Sequence, residues 1–277
     1  YTIAQDFFKD PQANLPEACG SKARTLGAYR FFQNPKVTMD VVLTPHTEAT
    51  IERMKGHRVV LVPQDTTTLD YSTHPLTAGL GPTNTQGDQA MGLLLHDTLA
   101  FTEEGTPLGI LDAQCWARDP KDQGKRYRRK ELPIEQKESM KWLRSFRKAA
   151  QVQKLCPQSM LVVMGDREAD IYELFLETRR EPDGPHLLVR AERTRTRAVD
   201  PEGFLWDFMA NQKVAGCLKI HIPRRGVRPA RDARVQIRFA PVTLTPPKHC
   251  GAAPAVPVWA VYVTEEASRA IAEPIEW

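Results

Sequence analysis

Apolar positions along the chain change their spacing twice, and each change predicts a different kind of element. Residues 1 to 57 read as helical. Thr44-Pro45 offers an N-cap with Pro at the first helical position, and Gly56 stands where a C-terminal glycine cap belongs. In GAYRFFQN (27–34), Tyr29, Phe31 and Phe32 surround Arg30, and such aromatics belong more often to a core than to a contact surface. From Val59 the pattern is that of strands. The apolar run 59–62 predicts a buried strand ending at Asp65 and its Thr66–Thr68 cluster. GLLLHDTLAFT (92–102) and PLGILDAQCW (107–116) predict two more, joined as a hairpin through EEGT at 103–106.

Residues 118–129 read as a polar, basic loop, and 134–152 as a helix with Met140, Leu143 and Phe146 at helical spacing. The run 160–164 predicts another buried strand, closed by Asp166 and followed by a helix carrying Ile171, Leu174 and Phe175. A fifth strand is expected at 187–190. Beyond Pro201 the period becomes two: CLKIHI, ARVQIRF and VWAVYV alternate between Pro- and Gly-rich turns, which predicts an antiparallel β module.

Composition narrows the class. The 277 residues are 41% hydrophobic and 26% charged, ordinary for a soluble globular chain. No apolar run approaches the roughly 18 residues a membrane helix needs. YTIAQDFFKD lacks the basic-then-apolar start of a signal peptide, and a first residue other than Met reads as a beginning inside a longer protein. Five scattered cysteines without a C-x-x-C pair argue against a zinc ribbon or a disulfide framework and fit a reducing cytoplasm. The net charge is only +4. Residues 118–148, however, hold 12 Lys or Arg against 5 Asp or Glu, and residues 190–238 repeat that count. Two such blocks suit either a solvated surface or a polyanionic partner.

Asp65 and Asp166 share one feature, a position just past an apolar strand. Taken singly, Asp65 reads as a turn residue and Asp166 as a helix cap. On adjacent strands the two would meet at one sheet edge, where a divalent cation relieves their repulsion. Oxygen donors without nearby His or Cys favour Mg²⁺, with Mn²⁺ as substitute, and paired ions of this kind drive phosphodiester chemistry.

GSKARTLGAYRFFQNPKVT (20–38), QDTTTLDY (64–71), GTPLGILDAQCWAR (105–118), KESMKW (137–142), GDREADIYEL (165–174) and IPRRGVRPARDARVQIRF (222–239) together resemble the DDE transposases of the insertion-sequence-four family. The resemblance implies an α/β, ribonuclease H-like mixed sheet flanked by helices. It divides the chain into a helical DNA-binding subdomain (1–58), a catalytic core (59–200), an inserted β module (201–270) and a return to the core (271–277). It implies catalytic, metal-binding roles for Asp65 and Asp166, and DNA contacts by Arg190, Arg193, Arg195 and Trp277, with Arg30 and Lys22 as further candidates. Double-stranded DNA, both transposon ends and target, is the implied partner, bound by a homodimer on the bacterial nucleoid. The family's third acid is expected downstream of Trp277, and neither Glu273 nor Glu276 is assigned that role. Two alternatives stay open. One is a transposase fragment that binds DNA without cutting it. The other is a haloacid dehalogenase-like phosphatase, whose G-D-x-x-x-D motif fits 165–170 but whose D-x-D-x-T motif would need Asp where Thr67 stands.

Overall fold

The computed structural model describes residues 2–74, 76–84, 90–122, 132–195, 197–200, 203–224, 226, 229–266 and 274–277. Much of the predicted basic loop, at 123–129, lies outside the described residues, as do positions 225, 227 and 228 of the basic turn.

Four helices come first: α1 (Thr2–Lys9), α2 (Leu15–Cys19), α3 (Lys22–Phe32) and α4 (Met39–Met54). Short polar side chains start three of them, because each accepts from an otherwise orphaned amide. Asn14 accepts from Glu17 N (3.1 Å), Ser21 from Arg24 N (3.4 Å) and Thr38 from Val41 N (3.3 Å). The expected start at Thr44-Pro45 is therefore corrected: α4 begins six residues earlier and runs through Pro45. A proline there removes one helical hydrogen bond. Docking offsets the loss, since His46 Nε2 accepts from Ile110 N (2.9 Å) and Arg53 Nε donates to Leu108 O (2.6 Å). Nor is Gly56 a left-handed cap; the helix closes at Lys55 in the right-handed region.

The aromatics of α3 are a second correction. Tyr29, Phe31 and Phe32 are 41–52% exposed, and Ala28 is the buried residue of that helix. Helices α1 to α3 pack chiefly on one another, held by the Arg24–Asp6 ion pair, and among the described residues no further layer covers the aromatic face.

The central sheet is built from β1 (Val59–Asp70), β2 (Gly81–Pro82), β3 (Met91–Phe101), β4 (Pro107–Trp116), β5 (Met160–Gly165) and β6 (His186–Val189). Its order is β2-β3-β1-β5-β6, with β4 also paired to β3. β3 runs antiparallel to β1 and β4, while β5 is parallel to β1 and β6 to β5. Strict alternation in β3 and in the first half of β1 places Val60, Val62, Leu94 and Ala100 inside. Against this sheet packs α5 (Met140–Leu155) through Trp142, Leu143, Phe146, Ala149 and Val152. Each large side chain so buried contributes about 1.5–3 kcal/mol. The helix starts later than the expected residue 134. Pro133 and Lys137, both extended, confine Ile134–Gln136 to a separate 3₁₀ turn.

α6 (Tyr172–Arg180) leads to β6. A second, antiparallel sheet follows, of β7 (Val199–Asp200), β8 (Gly216–Ile222), β9 (Arg231–Leu244) and β10 (Val256–Glu265), with α7 (Leu205–Ala210) packed on it. Two features differ from expectation. β7 pairs with β9, so this sheet already begins before Pro201. β8 alternates in sequence yet buries no face, because it is an edge strand paired on β9 alone.

Candidate active site and adjoining cleft

Parallel pairing of β1 with β5 ends at Pro63 opposite Met164. Asp65 and Asp166 each lie two residues beyond that pairing, and both are exposed. Asp166 follows the end of β5, whereas Asp65 lies within β1, which continues on β3 to Asp70. The expected strand end at Asp65 is therefore corrected. Asp65 Oδ1 accepts from Thr66 N (2.7 Å). Asp166 Oδ1 accepts from Glu168 N (2.8 Å) and caps the 3₁₀ turn Arg167–Ala169. The cap therefore serves this turn and not the α-helix, since α6 begins only at Tyr172 without a side-chain cap.

Three residues that the sequence reading did not single out complete the neighbourhood. Asp97 faces Asp65 across the β1–β3 ladder. Burial first, and then the charge of Asp65, push the Asp97 carboxyl above the ordinary carboxylate range. His96, fully buried, places Nδ1 2.9 Å from Thr66 Oγ1. Its burial, aided by the positive charge of Lys141, lowers its pKa to about 4. Lys141 in turn reaches Glu168 Oε2 (3.3 Å) and lies over the rings of Trp116 and Trp142. A carboxylate and an imidazole interrupting the apolar run GLLLHDTLAF were the available signal.

Among the described residues, the Asp65, Asp97 and Asp166 carboxylates are not gathered within 4.8 Å of one another as the ligands of one ion would be. Asp65, Asp97 and Asp166 offer oxygen alone, as Mg²⁺ and Mn²⁺ prefer.

Arg190 lies close by: its amide donates to Gly165 O (3.0 Å), one residue before Asp166. Its side chain is exposed and makes no hydrogen bond or ion pair among the described residues. Arg193 differs, because it pairs with Glu276 and lies 5.0 Å from the Trp206 ring centroid. Arg195 is exposed beside Glu192. Trp277, half-exposed, exchanges two 2.8 Å backbone bonds with Val263 and so extends the edge of β10. Arg190, Arg193, Trp206, Trp259 and Trp277 line a cleft of about 990 Å³ between β6 and β10. Lys22 and Arg30 sit exposed on α3, outside this cleft.

Much of the second basic block is internally neutralised. Arg197 pairs with buried Asp170, Arg231 with buried Glu265, Arg234 with Glu266 and Lys219 with Asp232.

Residues 1–37 match the family described as Transposase DNA-binding. Across the chain there is similarity to two solved structures. One is a cryo-EM structure of the piggyBac transposase synaptic complex with hairpin DNA (7% identity, 99% of this chain and 52% of that one, TM-score 0.35). The other is a crystal structure of a pre-cleavage Mos1 transpososome (11% identity, 68% of this chain and 58% of that one, TM-score 0.22). The chain thus spans little more than half the length of either. No helix among the described residues is long and apolar enough to cross a membrane.

Proposed function

We propose that this chain is the catalytic part of a cut-and-paste DNA transposase of the insertion-sequence-four type, like that of transposon five. The observation that carries the reading is the placement of Asp65 and Asp166 two residues beyond the parallel pairing of β1 with β5. The sheet order supports it. Leaving out the two-residue β2, the order β4-β3-β1-β5-β6 with β3 reversed supports reading the sheet as ribonuclease H-like. The match of residues 1–37 supports DNA as the partner.

In this reading Asp65 and Asp166 hold Mg²⁺, and the resemblance calls for a third acid beside them. The ion, when bound, polarises the scissile phosphodiester and lowers the cost of deprotonating the attacking group. The uncommitted guanidinium of Arg190 holds a phosphate beside the acids. Trp277 offers a ring face to an unstacked base in the cleft. The reaction is hydrolysis of one strand, attack of the freed 3′-hydroxyl on the other to form a hairpin, hairpin opening, and joining to target DNA. A homodimer holds the two ends. The phosphatase alternative loses its metal ligand, because Asp170 is buried, paired with Arg197 and accepting from Glu192 N (2.9 Å).

The test is Mn²⁺-dependent nicking of end-bearing DNA by the protein extended with its native downstream sequence, beside Asp65→Asn and Asp166→Asn. Cutting by the parent alone, with DNA binding kept in all three, supports the reading. Cutting by either variant overturns the assignment. DNA binding without cutting by any of them favours the non-catalytic alternative.

A further inference from the structure

Away from Asp65 and Asp166, Glu173, His249 and Cys250 bring one oxygen, one nitrogen and one sulfur within 4.8 Å of one another. Glu173 lies in the first turn of α6, and His249 and Cys250 in the 3₁₀ turn Lys248–Cys250 between β9 and β10. Glu173 Oε1 and His249 Nε2 are 3.6 Å apart, too far for a normal hydrogen bond. Two ligands of one tetrahedral Zn²⁺, at about 2.0–2.1 Å each, stand about 3.4 Å from one another. The separation is that of a loose ion pair when His249 is protonated, and it equally matches two ligands of one ion.

The surroundings hold the three donors in place. Tyr172 Oη donates to Pro254 O (2.8 Å) and Leu244 O (3.3 Å), and so grips the β9–β10 connection on both sides of the turn. Within the turn, Cys250 N donates to Pro247 O (2.8 Å) and Ala253 N to Cys250 O (3.1 Å). Glu173 is mostly covered and Cys250 partly so, while His249 is half-open to solvent. That leaves room for water as a fourth ligand.

We infer that Glu173, His249 and Cys250 form a Zn²⁺ site that clips the second sheet to α6. A mixed nitrogen, sulfur and oxygen set selects a borderline-soft cation and discriminates against Mg²⁺. Because α6 follows directly on the turn capped by Asp166, the clip would fix the second sheet relative to the proposed catalytic acids. The inference does not depend on the transposase reading.

Co²⁺ titration of the intact protein tests it, because a thiolate ligand gives a near-ultraviolet charge-transfer band that an all-oxygen site cannot. One equivalent should produce the band, Zn²⁺ should abolish it, and excess Mg²⁺ should leave it. Cys250→Ser should lose the band, while Cys115→Ser and Cys217→Ser, at the two exposed cysteines, should keep it. Glu173→Gln and His249→Ala should weaken Zn²⁺ by more than the roughly 10- to 100-fold that loss of an outer-shell partner costs. Hydrogen exchange gives a readout independent of the variants: Zn²⁺ should slow exchange across 248–253 in the parent protein. No band with the parent, or a band that survives Cys250→Ser, overturns the site. So does unchanged exchange across 248–253.

Discussion

Asp97 lies directly opposite Asp65 in the antiparallel β1–β3 ladder, and its carboxyl is held above the ordinary range by burial and then by that neighbour's charge. A carboxyl whose folded pKa is raised contributes stability that is complete below the unfolded pKa and is lost as pH rises through the folded value. Asp97→Asn removes the loss. The variant should therefore be more stable than the parent at pH 7, by no more than about 1 kcal/mol because the pair is partly solvated. The advantage should vanish below the carboxylate range. Urea unfolding of both proteins across pH measures it, and an advantage that grows on acidification would contradict the assigned cause.

The proposed Mg²⁺ site predicts a response to metal. If Asp65 and Asp166 hold Mg²⁺, the folded state gains about 2.7 kcal/mol at an ion concentration 100 times the dissociation constant. Thermal unfolding with Mg²⁺ against chelator should show the gain in the parent, and little of it in Asp65→Asn or Asp166→Asn. An equal gain in all three would place the ion elsewhere.

These acids were legible in the sequence because buried strands announce themselves as apolar runs, and the residue that ends such a run is fixed in space by the sheet. Asp97 was less so: it is embedded in an alternating strand, and only the register of β3 on β1 sets it against Asp65. Pairings between distant segments were not legible at all. Arg197 with Asp170, Arg231 with Glu265, and the triad of Glu173 with His249 and Cys250 join residues that nothing local connects. Local signals also misled where tertiary contacts outweighed them. Pro45 reads as a helix start, yet Thr38 caps earlier and β4 holds the helix through it. The aromatics of α3 read as core, yet among the described residues they stand half-exposed.

His96 gives a second pH prediction of the opposite kind. Its folded pKa is depressed to about 4 from 6.5, so below pH 6.5 the unfolded chain takes up a proton that the folded one refuses. Stability is complete above pH 6.5 and declines toward pH 4, by about 2 kcal/mol at pH 5. His96→Gln loses the Thr66 contact but also this dependence, so its stability should fall less steeply between pH 7 and 5. Parallel slopes in denaturant unfolding would show that His96 is not the group responsible.

Arg197 and Asp170 are both nearly buried, with side chains 10% and 3% exposed. Removing the cation strands a buried carboxylate, and such a loss costs about 3–5 kcal/mol. Arg197→Ala should show it in equilibrium unfolding. Arg197→Ala with Asp170→Asn should recover part of it, since the stranded charge is gone. A double variant no better than the single would mean that the Arg197 guanidinium over the Phe175 ring carries the stability instead.

Arginines already committed to internal partners should differ from uncommitted ones in how salt affects DNA binding. Each phosphate contact to duplex DNA adds roughly 0.9 to the slope of log affinity against log salt. Arg190 has no internal partner among the described residues, so Arg190→Ala should lower the slope by about that amount. Lys22→Ala and Arg30→Ala, both exposed on α3 within the DNA-binding match, should do the same. Arg231→Ala should leave the slope unchanged, because Glu265 already takes its guanidinium (Nη2 to Oε2 2.8 Å). Equal slopes for Arg190→Ala and the parent, measured by fluorescence anisotropy between 50 and 200 mM salt, would remove Arg190 from the DNA path. A fall in slope for Arg231→Ala would show that the internal pair opens to let phosphate in.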